Sequence, residues 1–391
     1  MKKILIFIFL LCTIYIPSTF SQPAAGPEVY LLTCGVGAET YSIYGHSAIR
    51  ILDQKKHIDL VYNWGIFDFD TPHFAWKFAK GRLNYMLGAM TMQSFMQEYF
   101  LEKRSVHSQK INLSPDETEQ LIALINENLK PENVKYRYDF FYDDCSTRIR
   151  DLLEKSIGEK LLYPPSETKG IPTFRSLIHK YQSPYSWLNF GIDLLVGSPS
   201  DIKAQFRDRM FLPIEMQKEL SEAVIRRDSK MIPLLQNPET ILDFDPPVVN
   251  RKFLTSPSTI FTLLFIVAVI LTSFQKRKKL INTVDITLFS IFSILAILMI
   301  FFNFFTDHQQ TRWNLNIIWL NPFLIICLIM LILKKSGTVW FKIVFFITLT
   351  FLIFQYFLPQ VFNSAIFPLV CTILVRSSVR ARFSWNPLSI K

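Results

Sequence analysis

Five apolar segments in the C-terminal part of the chain restrict its fold more than any other feature. They span residues 260–274, 284–305, 317–333, 339–358 and 361–376. The length of each segment is close to that of a helix that crosses the hydrocarbon core of a bilayer, about 20 residues. The sequence therefore predicts a membrane domain of five helices over residues 251–391, preceded by a separate domain over residues 22–250.

The basic residues of the second half of the chain indicate how the membrane domain is oriented. They cluster after the first, third and fifth apolar segments, at residues 276–279, 334–335 and 376–382. Lysine and arginine accumulate on the cytoplasmic side of membrane proteins. The net charge of +10 could suggest a nucleic-acid partner, but we find no nucleic-acid-binding motif. We predict a cytoplasmic C-terminus and an exported N-terminal domain.

The first 21 residues have the three parts of a secretory signal peptide. A basic start precedes an apolar run up to Ile16, and small and polar residues follow it up to Ser21. We expect cleavage after Ser21, with an uncleaved signal anchor as the alternative. Residues 245–257 contain three prolines and form the predicted linker between the two domains.

Cys145 lies where a strand-like stretch changes into a helical one. Residues 136–142 are rich in aromatic side chains and alternate as in a half-buried strand. Asp144 is positioned to cap a helix, and apolar side chains then follow at helical spacing. A thiol in the first turn of a helix has its pKa lowered by free N–H groups and the helix dipole. The same N–H groups can bind an oxyanion, so we predict that Cys145 is a nucleophile.

The exported domain has the pattern of an α+β fold. Strands are predicted over residues 28–33, 46–51 and 58–65, the last two forming a hairpin. Further strands are expected before residue 92 and over residues 105–111. A capping box that begins at Ser114 precedes a helix over residues 118–129.

His46 is the best candidate for a base among the five histidines of the exported domain. It follows Gly45, opens a strand and has small neighbours, so its ring can face a cleft. A third polar residue must orient the imidazole. We favour Asp59, with Asn63 as the alternative, because both lie on one face of the next strand. We find no convincing metal-ligand spacing and predict no cofactor.

Cys34 offers a different interpretation of Cys145. Once a signal peptide is removed, these two are the only cysteines of the exported domain. Exported domains commonly carry structural disulfides. A Cys34–Cys145 disulfide is therefore the alternative to a reactive thiol.

The chain order of these residues resembles that of a known group of thiol enzymes. Papain-type folds pack a cysteine at a helix N-terminus against a histidine on a strand, with the orienting residue on the adjacent strand. Here the order is histidine, orienting residue, cysteine. This resembles the circularly permuted branch, which includes acyltransferases of the lecithin:retinol acyltransferase type. We therefore expect a circularly permuted papain-like domain.

Motifs at residues 31–37, 44–50, 62–69, 141–148, 307–308 and 314–322 are similar to those of the Lnb family, the lipoprotein N-acyltransferases of Bacteroidota. The resemblance covers nearly the whole mature chain. The family has Asn directly before the nucleophile, where this chain has Asp144, which caps a helix equally well. The resemblance implies an inner-membrane protein with its exported domain in the periplasm. The candidates for substrate binding are Tyr44, Arg148, His308, Asn314 and Asn316.

The resemblance implies a two-step acyl transfer. Cys145, paired with His46, would take an acyl chain from a membrane phospholipid and hold it as a thioester. The α-amino group of the diacylglyceryl-cysteine of a lipoprotein would then accept the chain. Phospholipid, diacylated lipoproteins and the bilayer are thus the expected partners. One alternative is a membrane-tethered cysteine peptidase or amidase acting on peptidoglycan or peptides. Another is a non-catalytic scaffold with a Cys34–Cys145 disulfide.

Overall fold

The computed structural model describes residues 26–165, 169–249, 253–273 and 277–383. The segment predicted as a signal peptide lies outside these ranges. Residues up to 249 form strands and helices, here called the sheet domain. The described residues from 253 onward form helices and their connections, here called the helical region. The predicted α+β fold followed by a helical region is therefore confirmed.

Within the described residues, a seven-stranded antiparallel sheet is the framework of the sheet domain. Its strands are β1 (Glu28–Cys34), β2 (His46–Asp53), β3 (Ile58–Ile66), β4 (Asn84–Thr91), β5 (Val106–Lys110), β6 (Lys135–Arg137) and β10 (Glu239–Leu242). A smaller sheet contains β7 (Leu161–Leu162), β8 (Val224–Arg227) and β9 (Lys230–Pro233). The spatial order of the large sheet is β10-β5-β1-β2-β3-β4-β6. The predicted hairpin is confirmed as β2 paired with β3.

Helices cover both faces of the large sheet. Those of the sheet domain are α1 (Phe74–Ala79), α2 (Met92–Leu101), α3 (Pro115–Asn128), α4 (Cys145–Ile157), α5 (Phe174–Gln182), α6 (Ser186–Leu195), α7 (Phe206–Arg209) and α8 (Pro213–Glu222). Helix α2 buries Phe95 against the face that carries Ala48 and Val61. Helices α3 and α4 cover the opposite face, where Ile149 packs with Ile49. Successive residues of β2, Ala48 and Ile49, are thus buried on opposite faces of the sheet.

Helix α4 begins at Cys145, as predicted, but the approach to it differs from the prediction. Only the start of the aromatic run 136–142 is in a strand, the short β6. The chain then turns: the N–H of Asp143 donates to the carbonyl of Asp139 at 2.9 Å. The Asp139 side chain also accepts from the N–H of Phe141 at 3.0 Å. A side chain that bonds its own backbone two residues on favours a turn over a strand.

The candidate site residues lie along the border of the large sheet where the ends of several strands meet, and we call this border the site edge. Because neighbouring strands are antiparallel, β1 ends there and β2 and β5 begin there: Cys34 is opposite both His46 and Val106. On the other side of β2, β3 ends at this edge and β4 begins there. The connections between these strands therefore converge at the site edge.

The helical region contains α9 (Pro257–Ser273), α10 (Lys278–Phe304), α11 (Phe323–Ile332), α12 (Thr338–Phe354) and α13 (Ile366–Arg380). One helix corresponds to each predicted apolar segment. Among the described residues, three segments are long and apolar enough to cross a membrane: Lys278–Phe304, Leu315–Ile332 and Thr338–Phe357. Helix α9 is apolar but shorter, and α13 is also short. Five spans therefore stay a prediction.

A buried ion pair joins α10 to α13. The Asp285 carboxylate accepts from Nε of Arg376 at 2.7 Å and from Nε of Arg380 at 2.6 Å. Asp285 and Arg376 are both almost completely buried. Charged side chains within membrane segments are rare and generally pair with one another, so this contact fixes the two helices against each other.

The loop between α10 and α11, residues 305–322, contacts the sheet domain, and we call it the outer loop. Asp307 accepts from Nε of Arg82 at 2.8 Å, and Gln310 donates to Asp139. The N–H of Gly197 donates to the carbonyl of Gln310 at 2.8 Å. A Cβ at Gly197 would lie 2.1 Å from the carbonyl oxygen of Arg312. Only glycine allows this approach between the two parts of the chain.

Candidate active site

Cys145 is the first residue of α4 and is held by a reciprocal cap. The N–H of Thr147 donates to Oδ1 of Asp144 at 2.8 Å, and the N–H of Asp144 donates to Oγ1 of Thr147 at 2.7 Å. The sulfur of Cys145 lies against backbone N–H groups, including those of Ser47 and Ser146. The backbone of Ser47, the residue after His46 on β2, therefore contacts the thiol directly.

The expected lowering of the Cys145 pKa is wrong. The thiol is 9% exposed, and burial, the largest influence, raises its pKa above the ordinary value. The surrounding N–H groups lower the pKa but offset only part of that effect. Desolvation disfavours the charged form, so Cys145 rests as a neutral thiol at neutral pH.

His46 opens β2 and bonds Asn63 on β3. Its Nε2 lies 3.1 Å from Oδ1 of Asn63. Because an amide oxygen only accepts, Nε2 donates, and Nδ1 is the basic atom of the neutral ring. Burial lowers the pKa of His46 to about 4, and the positive charge of Arg104 acts in the same direction, while the bond to Asn63 opposes both. The imidazole is therefore neutral at neutral pH.

The preference for Asp59 as the orienting residue is wrong. Its carboxylate accepts from Nε and Nη2 of Arg50 at 2.7 and 2.8 Å. The strand register explains the difference: Asn63 is opposite Ala48, two residues from His46, whereas Asp59 is opposite Leu52. A diagonal neighbour two residues away is within reach of a long side chain, and one six residues away is not.

The disulfide alternative is also wrong. Cys34 and Cys145 are free thiols within the described part of the chain. Cys34 is fully buried, and burial raises its pKa to about 12. The Tyr99 hydroxyl donates a hydrogen bond to its sulfur. Cys34 is therefore an inert core thiol directly across the sheet from His46.

A cavity of about 630 Å³ contains Cys145, His46 and Asn63 in its lining. On the β3–β4 side, its walls are apolar and mostly aromatic: Ile66, Phe67, Phe69, Phe74, Phe78 and Tyr85. On the β5 side, its walls carry the charged residues Glu98, Glu102 and Arg104. The order of strands at the site edge places the thiol and the imidazole between these two ends.

Two predicted substrate-binding residues line this cavity. Tyr44 lies on its wall, with its hydroxyl accepting from Nε2 of Gln182 at 2.9 Å. His308, from the outer loop, also lines the cavity, and its Nε2 donates to the carbonyl of Phe78 at 3.0 Å. The helical region thus contributes a side chain to the aromatic end of the cavity.

Three other candidates lie elsewhere. Arg148 bonds Asp143 at 2.9 Å and stacks on the ring of Tyr136 at 3.5 Å, so it supports the turn before α4. Asn314 and Asn316 are buried and use their side-chain amides to bond the carbonyl of Leu194, at 2.8 and 3.2 Å. These asparagines join the outer loop to α6 and leave no group free for a substrate.

Sequence reasoning missed Glu98, Glu102 and Arg104. They lie at the end of α2 and just before β5, where a run of charges reads as a solvated surface. The position of β5 beside β1, which no local pattern reveals, brings them to the site edge. Within the described ranges, no group of three or more His, Cys, Asp and Glu side chains is arranged to hold a metal ion.

The fold and the site define a protein in which Cys145 and His46 line one cavity of a sheet domain that is joined to apolar helices. Two family models match the chain: the Lnb N-terminal periplasmic domain over residues 21–180 and the Lnb transmembrane domain over residues 249–385. Together they cover most of the chain, which belongs to the Lnb family. The resemblance seen in the sequence is confirmed at that level. No curated protein and no solved structure matches the chain.

Proposed function

We propose that the protein is a lipoprotein N-acyltransferase that uses Cys145 as its nucleophile. The observation that carries this proposal is the cavity, which runs from Cys145 and His46 along aromatic walls to His308 of the helical region. An acyl chain needs an apolar channel, and a lipid substrate needs a route from the bilayer to the thiol. Membership of the Lnb family supports the same assignment.

The first half-reaction forms a thioester. His46 takes the proton of the Cys145 thiol at Nδ1 as the sulfur attacks an ester carbonyl of a phospholipid. Because thiol and imidazole are both neutral at rest, proton transfer accompanies attack. Backbone N–H groups beside the sulfur, including that of Ser47, donate to the oxyanion. The C–O bond breaks, His46 returns the proton to the glycerol oxygen, and a lysophospholipid leaves.

The second half-reaction transfers the acyl chain. The unprotonated α-amino group of a diacylglyceryl-cysteine attacks the thioester, and His46 accepts a proton from it. The C–S bond breaks, the proton passes to the thiolate, and an N-acylated lipoprotein leaves. Asn63 keeps Nδ1 directed to the reacting atoms in both steps through its bond to Nε2.

The proposal includes the arrangement of the protein in the membrane. The sheet domain is a permuted papain-like domain in the periplasm, and five helices span the inner membrane with the C-terminus in the cytoplasm. Basic residues at 277–279 and 334–335 and the arginines at the end of α13 support this orientation. Aromatic side chains of α1 support contact with the bilayer surface: Trp76 and Phe78 are exposed, and Trp76 packs on Phe301.

The test is the acylation state of lipoproteins in cells that carry Cys145→Ala or His46→Ala. We expect N-terminal peptides to keep two acyl chains in both variants and to carry three in the wild type. Cys34→Ala is the matched control, because it removes the other thiol of the sheet domain and should leave N-acylation unchanged. Unchanged N-acylation in both site variants would overturn the proposal.

A second assay, hydrolysis of purified cell wall, separates this function from that of a cysteine peptidase or amidase. A hydrolase would release peptides or sugar-linked peptides from purified cell wall and would lose that activity with Cys145→Ala. The aromatic walls of the cavity favour a lipid chain over a polar peptide or glycan. Hydrolysis of cell wall by the full-length protein, with no acyl-enzyme on phospholipid, would support the hydrolase instead.

A further inference from the structure

The charged end of the cavity has no role in the two steps described above. It lies on the β5 side of the thiol, opposite the aromatic end, and it is formed by Glu98, Glu102 and Arg104. A phospholipid whose ester carbonyl is at Cys145 and whose acyl chain follows the aromatic walls must direct its headgroup away from them. The charged end is on that opposite side.

Arg104 has donor capacity that the protein does not use. The side chain is 5% exposed, and its Nε and Nη1 donate to the carbonyl of Gly35 at 3.0 Å and to Glu102 at 2.9 Å. Its buried Nη2 has no hydrogen-bond partner among the described residues. A buried donor without a partner is costly, and guanidinium forks bind phosphate oxygens well. A phosphate group would satisfy this donor.

The two glutamates give this end a net negative charge. Glu98 and Glu102 are exposed at the cavity wall, and both act electrostatically on His46. With one arginine and two carboxylates, the charged end suits a ligand that brings both an anion and a cation. A headgroup with a phosphate alone would meet uncompensated repulsion from a carboxylate.

We propose that this end of the cavity binds a phosphoethanolamine headgroup of the acyl donor, with Arg104 on the phosphate and Glu98 and Glu102 on the ammonium group. The inference rests on the proposed function and adds to it the class of donor. It makes phosphatidylethanolamine a better donor than phosphatidylglycerol with the same acyl chains. Arg104 and the two glutamates are then specificity residues for the first half-reaction.

The test measures the rate of acyl-enzyme formation by the full-length protein in micelles that contain one phospholipid or the other. Intact mass reports acylated Cys145. We expect the wild type to react about tenfold faster with phosphatidylethanolamine. Glu98→Gln and Glu102→Gln should slow that reaction toward the phosphatidylglycerol rate and leave the latter unchanged or faster. Arg104→Gln should slow both, and Arg104→Lys should restore part of each rate.

Glu119→Gln, the same change at an exposed position of α3 outside the cavity, is the matched control and should keep the wild-type ratio. If Arg104→Gln fails to fold, the exposed glutamates still decide the question. An unchanged ratio of the two rates in both glutamate variants would overturn the headgroup assignment and leave acyl transfer intact. Absence of acyl-enzyme from either lipid in the wild type would overturn the proposed function itself.

Discussion

Two groups of polar side chains, one in the helical region and one in the sheet domain, have opposite electrostatic character. In the helical region, both carboxylate oxygens of Asp285 accept charge-assisted bonds from Arg376 and Arg380. In the sheet domain, Cys145 and His46 are neutral, because burial raises the pKa of the thiol and lowers that of the imidazole. In the first group, direct bonds between opposite charges hold two helices together, whereas the second group is neutral and lines a cavity. Paired charges of the first kind fix structure, and a neutral thiol and imidazole at a cavity wall are available to react.

The largest effect is expected when either Cys145 or His46 is removed. Cys145→Ala and His46→Ala should each lower the rate of acyl-enzyme formation by at least about 10³-fold. Thermal unfolding should change little with Cys145→Ala, because a small thiol is replaced by a smaller apolar group. A drop in the unfolding temperature as large as the one expected for Asp285→Ala would show that the pair is structural.

Removing the Asp285 carboxylate should lower the stability and leave the rate of acyl-enzyme formation unchanged. Asp285→Ala leaves two arginines close together without a carboxylate, one of them fully buried, and should cost about 3–5 kcal/mol of stability. The measurement is unfolding in detergent, with Thr287→Ala on the exposed side of the same helix as control. The protein that remains folded should form the acyl-enzyme at the normal rate. Normal stability with lost activity would break the comparison.

Removing Asn63, which bonds His46, should have a smaller effect on the acylation rate, and Asp59 serves as the contrasting position. Asn63→Ala frees the imidazole ring and should lower the acylation rate by about 10²-fold, the scale expected for a misplaced catalytic group. Asp59→Ala removes only a partly exposed ion pair with Arg50 and should change the rate and the stability little. Equal losses of rate in the two variants would return Asp59 to consideration.

The neutral resting state predicts the pH dependence of thiol labelling. Because burial raises the folded-state pKa of Cys145, alkylation by iodoacetamide should be slow at pH 7 and accelerate only at a more alkaline pH than for an ordinary exposed thiol. Acyl-enzyme formation needs unprotonated His46, so its rate should be constant near neutrality and fall as the pH drops through about 4. Subtracting the labelling of Cys145→Ala isolates the residue. Rapid labelling of Cys145 at pH 7 would indicate a preformed thiolate.

The smallest effect concerns the cap of α4. Burial raises the pKa of Asp144 well above its ordinary value, so between the unfolded-state and folded-state pKa values the native protein binds more protons. Stability contributed by this group is therefore present at low pH and lost as pH rises through the folded-state pKa. Asp144→Asn keeps the cap and should be more stable than the wild type at neutral pH, with no gain at acid pH. Asp144→Ala should instead cost about 1 kcal/mol. Unfolding temperatures measured across pH distinguish the two.

Much of this site could be predicted from local sequence because its parts are set by local physics. A cap residue, a cysteine at the first helical position and a helical apolar face define α4 within a dozen residues. A glycine followed by a histidine defines the start of β2 in the same way. The apolar segments are readable because the length of a membrane helix is set by the bilayer. The family follows from these same motifs.

Only the tertiary structure determined which side chains surround Cys145 and His46 and how burial shifts their pKa values. The strand register selected Asn63 over Asp59, since side-chain contacts across a sheet depend on which residues are opposite one another. The order β5-β1-β2 brought Arg104 to the site edge, although nothing in its local sequence distinguishes it from a surface charge. Burial reversed the expected pKa shift of Cys145, because desolvation depends on the whole fold and outweighs the helix N-terminus. The sequence by itself determined where the thiol, the imidazole and the membrane segments are, and packing between distant segments determined their charge and their neighbours.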